Sequence, residues 1–507
     1  MQSLNGPSSA LRQSAYERER VENLHPSAWS NPHPADHYNL VVVGAGTAGL
    51  VAAHGAAGVG AKVALIERDL LGGDCLNAGC VPSKALIRTS RLYAEMRQAE
   101  QYGARTPTDV DVDFTAAMAR MRRIRTRISR VDSIRRLNEA GVDVFFGEGR
   151  FTSTDTVVVA GVTLRFKKAM IATGSRPAMP AIPGLAEAGY LTNENVFDLT
   201  ELPRRLLVIG GGPLGCELAQ AFCRFGAKTT ISQDQPLFLP KEERDAAQIL
   251  SNSLARDGVE VRLNTTAVSV RMEGGEKVVD LVSDDYKSSV AVDAILVGTG
   301  RAPNVRGMDL EAAGVEYDET SGVRTDDFLR TSNPRIYAAG DVCLEHQYTH
   351  TADASARIVV RNALFLGRQR LSTLTIPWCT YTDPEIAHVG LYAREALKQN
   401  IPLKTFTIPM HDVDRAIIDA EQEGFIKIHV REGTDRILGA TIVARHAGEM
   451  INEITLAMVA GVGLRTLADV IHVYPTHADA IKQAADAYNR SRLTHTVQSL
   501  LRRWMTW

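Results

Sequence analysis

The chain contains little cysteine and has no excess of either charge sign. Six cysteines among 507 residues are too few and too unevenly spaced for the disulfide framework of a small secreted domain, so a reducing compartment is expected. The 57 Lys and Arg residues are balanced by 59 Asp and Glu residues, which gives a formal net charge of -2. Because this balance gives no general attraction to nucleic acid or membranes, we expect a small partner molecule.

Neither a signal peptide nor a membrane span is expected from the sequence. Its first twenty residues are polar and contain no apolar core, so the cytoplasm is the expected location. Residues 40–61 form an apolar run long enough to cross a bilayer, but six glycines interrupt it and predict a turn instead. A globular chain of this length is too large for one core and is expected to form two to four domains.

Two basic or polar segments have no motif of their own. Residues 1–36 carry four prolines and no sustained hydrophobic period, which predicts an extension that is partly disordered or lies over the surface of the body.

Residues 114–141 repeat apolar side chains at steps of three and four, which predicts an amphipathic helix with an arginine-rich, solvated face. Nucleic-acid binding by this face is disfavoured, because no aromatic residues are interleaved with the arginines. The apolar positions are Phe114, Met118, Met121, Ile124, Ile128, Val131 and Ile134.

A glycine-rich turn follows the first apolar run. Residues 38–53 read YNLVVVGAGTAGLVAA, in which a strand-like segment precedes Gly44, Gly46 and Gly49, and Glu67 ends the next strand-like segment, KVALIE. Such glycines let the backbone approach a pyrophosphate at a helix N-terminus, and the acid accepts a hydrogen bond from a ribose hydroxyl. The order of these elements predicts a dinucleotide site.

The same pattern recurs 166 residues later. Gly210, Gly212 and Gly215 follow the strand-like segment LLVIG, but the position that matches Glu67 is Gln233. Two such turns predict sites for two different nucleotides. Because Gln233 is uncharged and no arginine stands beside it, NADPH and NADH both remain possible at the second site.

The segment GGDCLNAGCVPSK holds Cys75 and Cys80. A zinc site would need two further ligands at short spacing, and the sequence has no second Cys or His pair of that kind. Buried inert thiols are not expected in a polar segment bracketed by glycines. We therefore interpret the two cysteines as a redox couple.

A regular helix would not allow these two cysteines to form a disulfide. Residues five apart lie about 140° apart around a helix and their Cα atoms roughly 8 to 9 Å apart, beyond the ~7 Å limit for a bridge. We therefore predict a distorted segment, with the bend at Asn77 and Gly79 and with Pro82 interrupting the helical hydrogen bonding. A strained bond of this kind would be easily reduced.

Eight motifs in a fixed order carry a family resemblance. They read VVVGAGTAGL, GGDCLNAGCVPSK, MIATGSRP, GGGPLGCELA, VGTGRAPN, IYAAGDV, YTDPEIAHVG and HVYPTHADA. With them the chain resembles, from about residue 38 to about residue 493, the class I, FAD-dependent pyridine nucleotide-disulfide oxidoreductases. The resemblance is closest to mercuric reductase-like proteins and extends to dihydrolipoamide dehydrogenase.

The resemblance implies an α/β fold with two Rossmann-like dinucleotide-binding domains, for FAD and NAD(P), and a C-terminal α+β dimerisation domain that makes a homodimer. The implied boundaries are an extension over residues 1–37, the FAD-binding domain in two parts over 38–179 and 300–370, the NAD(P)-binding domain over 180–299 and the interface domain over 371–507.

The resemblance also implies the roles of individual residues. Cys80 would be the thiolate next to the flavin and Cys75 the thiol that exchanges with substrate, with Lys84 and Glu217 as an ion pair beside the flavin ring. A lysine there needs its carboxylate partner in order to stay charged. The implied cofactor-binding residues are Gly44, Gly46, Gly49, Glu67, Lys84, Thr173, Gly174, Gly340 and Asp341, and Gly210, Gly212, Gly215, Gly300 and Arg301.

The last motif departs from the disulfide-reducing members of that family. Their His-Pro-Thr-x-x-Glu sequence becomes Tyr474 to Asp479 here, with tyrosine in place of histidine and aspartate in place of glutamate. A tyrosine with a pKa near 10 is a poor general base at neutral pH. His472 and His477 are alternative bases.

The tyrosine favours a mercuric reductase-like enzyme that passes electrons from NAD(P)H to a small-molecule or metal-ion acceptor. Against Hg(II) as the substrate, the last cysteine is Cys379, and a C-terminal cysteine pair is absent. The alternatives are a dihydrolipoamide dehydrogenase and a redox-sensing flavoprotein without enzymatic activity. No resident metal is expected, and the tail SLLRRWMTW is interpreted as a docking patch on the partner subunit rather than a membrane anchor.

Overall fold

The computed structural model describes residues 15–107, 110–284, 286–365 and 367–506. The first fourteen residues of the N-terminal extension and the final tryptophan of the tail lie outside this range. The chain divides into a first unit, Met1–Asp234 with Asn264–Leu374, and a second unit, Gln235–Leu263 with Thr375–Trp507. The five segments drawn from the sequence stay a prediction.

The main sheet of the first unit is largely parallel. Its strands lie in the order Val142–Phe146, Val63–Glu67, Tyr38–Val43, Val162–Ile171, Thr156–Val159 and Arg150–Ser153, and Ile336–Ala338 also pairs with Val162–Ile171. Residues 40–43 are buried, as expected for a parallel strand covered on both faces. The first glycine turn therefore leaves the carboxyl end of a central strand.

A second Rossmann-like arrangement lies in the same unit. Arg205–Ile209 pairs in parallel with Lys228–Ser232 on one side and with Ala294–Val297 on the other. Three antiparallel strands, Thr265–Glu273, Glu276–Ser283 and Lys287–Val292, form a further sheet. Two small strand pairs are Ser175–Pro177 with Arg301–Pro303, and Tyr317–Asp318 with Gly322–Val323.

Helices alternate with these strands along the chain of the first unit. They are Ala15–Leu24, Thr47–Gly58, Gly73–Asn77, Cys80–Arg97, Phe114–Ser129, Ile134–Glu139, Leu185–Ala188, Pro213–Arg224 and Thr349–Leu364.

The predicted arginine-rich helix differs from its sequence interpretation. It ends at Ser129, and a separate helix begins at Ile134. Arg122 and Arg125 are buried, so the prediction of a solvated arginine face is wrong for these two residues. The reason is that the helix Ala15–Leu24, which we call the N-terminal helix, packs on this side and supplies Glu17 as an ion-pair partner.

The second unit contains an antiparallel sheet and several helices. Its strands lie in the order Pro377–Thr380, Glu385–Gly390, Ile437–Ala444, Phe425–Arg431 and Leu403–Pro409, and the short strand Glu260–Arg262 precedes them in the chain. The helices are Arg244–Asp257, Ala393–Lys398, Asp414–Ile418, Ala447–Ala460, Leu464–Asp469, Asp479–Ser491 and His495–Met505. This unit confirms the predicted C-terminal α+β fold.

The C-terminal helix, His495–Met505, has no buried residue among those described. Its apolar side chains Val497, Leu500, Leu501, Trp504 and Met505 are exposed. Across the described part of the chain, no helix is both long and apolar enough to span a membrane.

Candidate active site

The cysteine segment forms two helices with a break between them. The short helix Gly73–Asn77 carries Cys75, and the longer helix Cys80–Arg97 begins at the second cysteine. The break lies at Ala78 and Gly79, where an added Cβ on Gly79 would meet the Asp74 carbonyl oxygen at 2.8 Å. The predicted distortion is therefore present and requires glycine at position 79.

Pro82 does not interrupt the helix as predicted from the sequence. It lies in the first turn of Cys80–Arg97, where a backbone N–H has no helical acceptor and proline is tolerated. The first helical bond runs from the Ser83 N–H to the Gly79 carbonyl oxygen, at 3.1 Å.

The two thiols contact each other, and their pKa values are shifted in opposite directions. A hydrogen bond to Cys80 is the main cause that raises the pKa of Cys75, and burial raises it further. The same hydrogen bond from Cys75 is the main cause that lowers the pKa of Cys80 to about 6. Cys80 is the more exposed of the two residues. At neutral pH the arrangement therefore favours a Cys80 thiolate that accepts a hydrogen bond from a Cys75 thiol.

Thr349 is a second partner of Cys80. Its Oγ1 lies 3.3 Å from the Cys80 sulfur, and it begins the helix Thr349–Leu364. Cys80 itself begins the helix Cys80–Arg97. Helix N-termini stabilise negative charge, including a thiolate, so the backbone of both helices favours an ionised Cys80. The sequence analysis missed Thr349, since no motif marks it.

Lys84 and Glu217 form the ion pair that the resemblance implied. The Lys84 Nζ lies 2.8 Å from a Glu217 carboxylate oxygen, and the Glu217 side chain is 4% exposed. Lys84 is one helical turn after Cys80, so both project from the same face of the helix. Lys84 also lowers the pKa of Cys80, less than the hydrogen bonds do.

The first glycine turn lies directly beside the cysteine segment. Gly44 has φ +102°, and an added Cβ would lie 2.4 Å from the Ala172 carbonyl oxygen; one on Gly49 would lie 1.8 Å from the Gly44 carbonyl oxygen. A Cβ on Gly73 would lie 2.6 Å from the Gly46 Cα. Only glycine fits at these positions. The backbone of the turn contacts the backbone of the cysteine segment.

Glu67 lies at the edge of a cavity next to this turn. Its carboxylate accepts hydrogen bonds from the N–H groups of Ala45 at 2.8 Å and Asp69 at 3.0 Å, while burial raises its pKa. The cavity has a volume of about 120 Å³, and its lining includes Gly44, Glu67 and Thr173. A cavity with a glycine turn and a carboxylate at its edge fits the nucleotide half of a dinucleotide.

A polar network connects the predicted cofactor residues Arg301 and Asp341. The Ser175 hydroxyl donates to Asp341 at 2.7 Å, and the Arg301 Nε lies 2.6 Å from the Ser175 oxygen. Arg301 also forms an ion pair with Asp74 in the cysteine segment. Burial raises the pKa of Asp341. The structure thus brings Arg301 to the cysteine segment.

The remaining predicted residues of the first site lie nearby. Thr173 donates from Oγ1 to the Asn304 carbonyl oxygen at 2.7 Å, and Gly174 has φ +67°. The Gly340 N–H donates to Ser355 at 3.1 Å. An added Cβ on Gly340 would lie 3.4 Å from the Ala48 Cβ on the helix that follows the first glycine turn.

The second glycine turn repeats the geometry of the first. Gly210 has φ +104°, and an added Cβ would lie 2.5 Å from the Gly298 carbonyl oxygen; on Gly215 it would lie 2.2 Å from the Gly210 carbonyl oxygen. Gly212 and Gly300 have open space around an added Cβ. Gln233 accepts from the Gly211 N–H at 2.7 Å, the contact that Glu67 makes at the first turn. Gln233 therefore occupies the position that the sequence alignment of the two turns predicts.

Tyr474 and Asp479 lie in the second unit and do not form a pair. The Tyr474 hydroxyl donates to Asp414 at 2.7 Å, which raises its pKa. Asp479 instead accepts from Gln483 at 2.9 Å. Asp414 is a partner that the sequence analysis missed. The raised pKa makes the tyrosine a still weaker base at neutral pH.

The two alternative histidines have different surroundings. The Nε2 of His472 lies 2.9 Å from Glu453. The Nε2 of His477 lies 3.7 Å from Glu421 and 3.8 Å from Asp419, and burial lowers its pKa. Arg415 and Arg445 already bind those two carboxylates, so this cluster is an ion-pair network.

Comparison with known proteins places this geometry in a family. The model described as pyridine nucleotide-disulphide oxidoreductase matches residues 38–357, and the model of its dimerisation domain matches residues 376–485. The chain belongs to this family of oxidoreductases. Its members use FAD and NAD(P)H, and the glycine turn with its cavity fits the first of these groups.

Individual members of the family are similar along nearly the whole chain. A mercuric reductase of Staphylococcus aureus is 34% identical over 89% of this chain and 83% of its own length. A dihydrolipoyl dehydrogenase of Thermus scotoductus is 33% identical over 90% of this chain and 98% of its own. Among solved structures, a Cu(II) complex of the HOCl-induced flavoprotein disulfide reductase RclA from Escherichia coli has TM-score 0.79 and 28% identity, and covers 88% of this chain and 98% of that one.

Proposed function

We propose that this oxidoreductase passes electrons from NAD(P)H through Cys75 and Cys80 to a thiol-reactive acceptor, a soft metal ion such as Hg(II) or Cu(II). The observation that carries the proposal is the contact between the Cys75 and Cys80 thiols, whose hydrogen bond raises the pKa of Cys75 and lowers the pKa of Cys80 to about 6. A thiolate is both the nucleophile of disulfide exchange and the preferred ligand of soft metals.

Two electrons are transferred in each half of the catalytic cycle. NAD(P)H converts the Cys75–Cys80 disulfide into a Cys75 thiol and a Cys80 thiolate and becomes NAD(P)⁺. One Hg(II) or two Cu(II) ions accept the two electrons, which re-forms the disulfide and releases one proton. Bound FAD supplies the two-electron exchange between the nicotinamide and the sulfur atoms.

The described side chains have distinct parts in this scheme. Thr349 and the two helix N-termini hold the negative charge on Cys80. Lys84 supplies a positive charge, which the buried Glu217 keeps in place at 2.8 Å. Gly44, Gly46, Gly49, Glu67 and Asp341 would hold FAD, and Gly210, Gly212 and Gly215 would hold the nicotinamide nucleotide.

The choice of a metal acceptor rests on the second unit and on the relatives. Tyr474 is exposed and hydrogen-bonded to Asp414, so it lacks the basicity that dithiol exchange requires. Mercuric reductases are among the similar sequences, and the RclA structure is a Cu(II) complex. These relatives make Hg(II) and Cu(II) the two candidate acceptors.

A homodimer in the cytoplasm is part of the proposal. The matched dimerisation domain supports self-association. The second unit also exposes large apolar side chains, including Leu456, Val459, Ile471 and Val473, as expected for a surface that a partner covers. The low cysteine content supports a reducing compartment.

The acceptor is tested by following NADPH and NADH oxidation with Hg(II), Cu(II), lipoamide and oxidised glutathione in parallel. We expect turnover with a metal ion, its loss in Cys75→Ser and Cys80→Ser, and its retention in the control Cys223→Ser. Turnover with lipoamide alone would identify a dihydrolipoyl dehydrogenase. No turnover with any acceptor would favour the redox-sensing alternative.

A second experiment tests the missing base. Tyr474→His should raise activity toward lipoamide or glutathione disulfide, because an imidazole can carry the thiol proton at neutral pH. Unchanged disulfide activity in this variant would contradict the account of Tyr474.

A further inference from the structure

A buried network of charged side chains connects the N-terminal helix to the cysteine segment. Glu17 accepts hydrogen bonds from the Arg20 Nε at 3.0 Å and Nη2 at 2.8 Å, and from the Arg125 Nη2 at 2.6 Å. Glu17, Arg20 and Arg125 are only 9%, 8% and 2% exposed. Because unpaired charges are costly in such surroundings, the three side chains depend on one another.

Both arginines converge on Asn77, the residue that ends the Cys75 helix. The Arg20 Nη1 donates to the Asn77 side-chain oxygen at 2.5 Å, and the Arg125 Nη1 donates to the Asn77 carbonyl oxygen at 2.7 Å. The Asn77 amide in turn donates to the carbonyl oxygens of Leu71 and Gly73, both at 3.0 Å. Every polar atom of the Asn77 side chain is thus bound.

These contacts stabilise the short first helix of the cysteine segment. The helix Gly73–Asn77 has five residues, too few to be stable on its own. A guanidinium on a carbonyl at a helix C-terminus satisfies an open acceptor and suits the negative end of the helix dipole. Arg125 therefore helps fix the residue at which the first helix stops.

The next residue along the chain is also held. The Asn193 side-chain amide donates to the Ala78 carbonyl oxygen at 3.2 Å, and Asn193 is buried. The break between the two cysteine helices is therefore bound on several sides. Of the groups that bind it, Arg20 belongs to a helix that precedes the matched family range of residues 38–357.

We propose that the N-terminal helix is a positioning element of the redox centre, in which Glu17 and Arg20 hold Asn77 and thereby set the distance between the Cys75 and Cys80 sulfur atoms. This inference rests on the proposed redox role of the two cysteines. The helix contacts neither sulfur, and its effect reaches them through the backbone of residues 75–80.

The matched pair of variants for this proposal is Glu17→Gln and Glu19→Gln. Both replace a glutamate that pairs with an arginine, and both lie on the N-terminal helix. Glu19 binds Arg130 at 2.5 Å on the surface, where the two side chains are 42% and 62% exposed. A general effect of charge or of helix stability would act in both variants, whereas an effect on Asn77 would act only in Glu17→Gln.

The readout is the thiol-disulfide equilibrium of Cys75 and Cys80 in glutathione buffers, measured by acid quenching and alkylation of the holoenzyme. A looser segment brings the sulfur atoms together less often, so Glu17→Gln should shift the equilibrium toward the dithiol. We expect about a tenfold shift, which corresponds to about 30 mV. The kcat for the metal acceptor should fall, while the KM for NADPH stays unchanged.

Arg20→Met is the second variant, because it removes the contact to Asn77 and leaves the Glu17–Arg125 pair in place. It should shift the equilibrium in the same direction. The proposal is overturned if Glu17→Gln and Arg20→Met keep the equilibrium of the wild type and of Glu19→Gln. Failure of the proposed function gives a different result, since the wild-type protein would then show no reduction of Cys75 and Cys80 by either NADPH or NADH.

Discussion

The hydrogen bond between the paired cysteines decides which of them carries negative charge. Cys75 donates to Cys80, and the Thr349 hydroxyl is within 3.3 Å of the same sulfur. A hydrogen bond to the charged form favours ionisation, whereas the donor thiol itself becomes harder to ionise. The two residues are therefore not equivalent, although the sequence surrounds both with similar small and polar neighbours.

The acidity of Cys80 predicts the pH dependence of alkylation. Its pKa of about 6 lies below the ordinary thiol value, so the thiolate form is present above pH 6 and is lost as the pH falls through it. The rate of iodoacetamide reaction with the reduced protein should rise through pH 6 and then level off. A rate that rises only near the ordinary thiol pKa of about 8.5 would show that Cys80 is not stabilised as a thiolate.

Thr349→Val should weaken this stabilisation. A hydrogen bond to a charged group contributes about 1.5–3 kcal/mol and one pKa unit corresponds to about 1.4 kcal/mol, so we expect the pKa of Cys80 to rise by about one unit. It is measured by the pH profile of alkylation.

Thr351→Val is the matched control for Thr349→Val. The Thr351 hydroxyl, on the same helix, is buried and has no hydrogen-bond partner among the described residues. Its removal should leave the alkylation profile unchanged and keep or slightly raise the melting temperature. Equal profiles in the two variants would contradict the role of Thr349.

The sequence predicts some of these residues and misses others for a physical reason. Lys84 follows Cys80 by one helical turn and could be assigned from the motif. Thr349 is 269 residues from Cys80, and its side chain arrives through the packing of a helix that no local pattern connects to the cysteines. Asp414 escaped prediction in the same way, since it reaches Tyr474 across 60 residues.

At the scale of elements, close backbone contacts exclude a side chain at Gly44 and Gly49 of the first glycine turn. Gly49→Ala would put a Cβ 1.8 Å from the Gly44 carbonyl oxygen, so the helix Thr47–Gly58 would have to move away from the strand before it. We expect this variant to lose bound FAD. The measurement is the flavin to protein absorbance ratio after purification.

Gly58→Ala tests whether this loss is specific. Gly58 ends the same helix, and an added Cβ there meets nothing within 4 Å. The variant should keep its flavin and gain at most about 1 kcal/mol in the free energy of unfolding, because alanine has the higher helix propensity. Equal flavin loss in both variants would contradict the close-contact argument.

Elements with strong local signals were predictable, and those defined by distant partners were not. The strand, turn and helix at residues 38–58 follow from apolar runs and glycine spacing. The burial of Arg122 and Arg125 does not, because it depends on Glu17, which is 108 residues from Arg125. The N-terminal helix itself was not predicted, since its few apolar residues show no period.

On the scale of the whole molecule, the exposed apolar side chains of the second unit predict the dimer surface. Ile471 and Val473 are 94% and 77% exposed, which leaves apolar area in water that a partner subunit would cover. Ile471→Asp with Val473→Asp should give a folded monomer without turnover. Light scattering after size exclusion measures the mass.

Leu397→Asp is the control for the dimer variant. Leu397 is 78% exposed on the short helix Ala393–Lys398, far along the chain from Ile471 and Val473. This variant should remain dimeric and active. A dimeric Ile471→Asp, Val473→Asp variant would show that the subunits associate through another surface.

The most direct measurement of the redox couple is an anaerobic titration of the FAD-loaded protein with NADPH or NADH, combined with counting of alkylated thiols by mass spectrometry. Two electrons per subunit should convert Cys75 and Cys80 from disulfide to dithiol, with the other four cysteines unchanged, and long-wavelength absorbance should appear with them. Reduction of the flavin without any change at Cys75 and Cys80 would contradict the account.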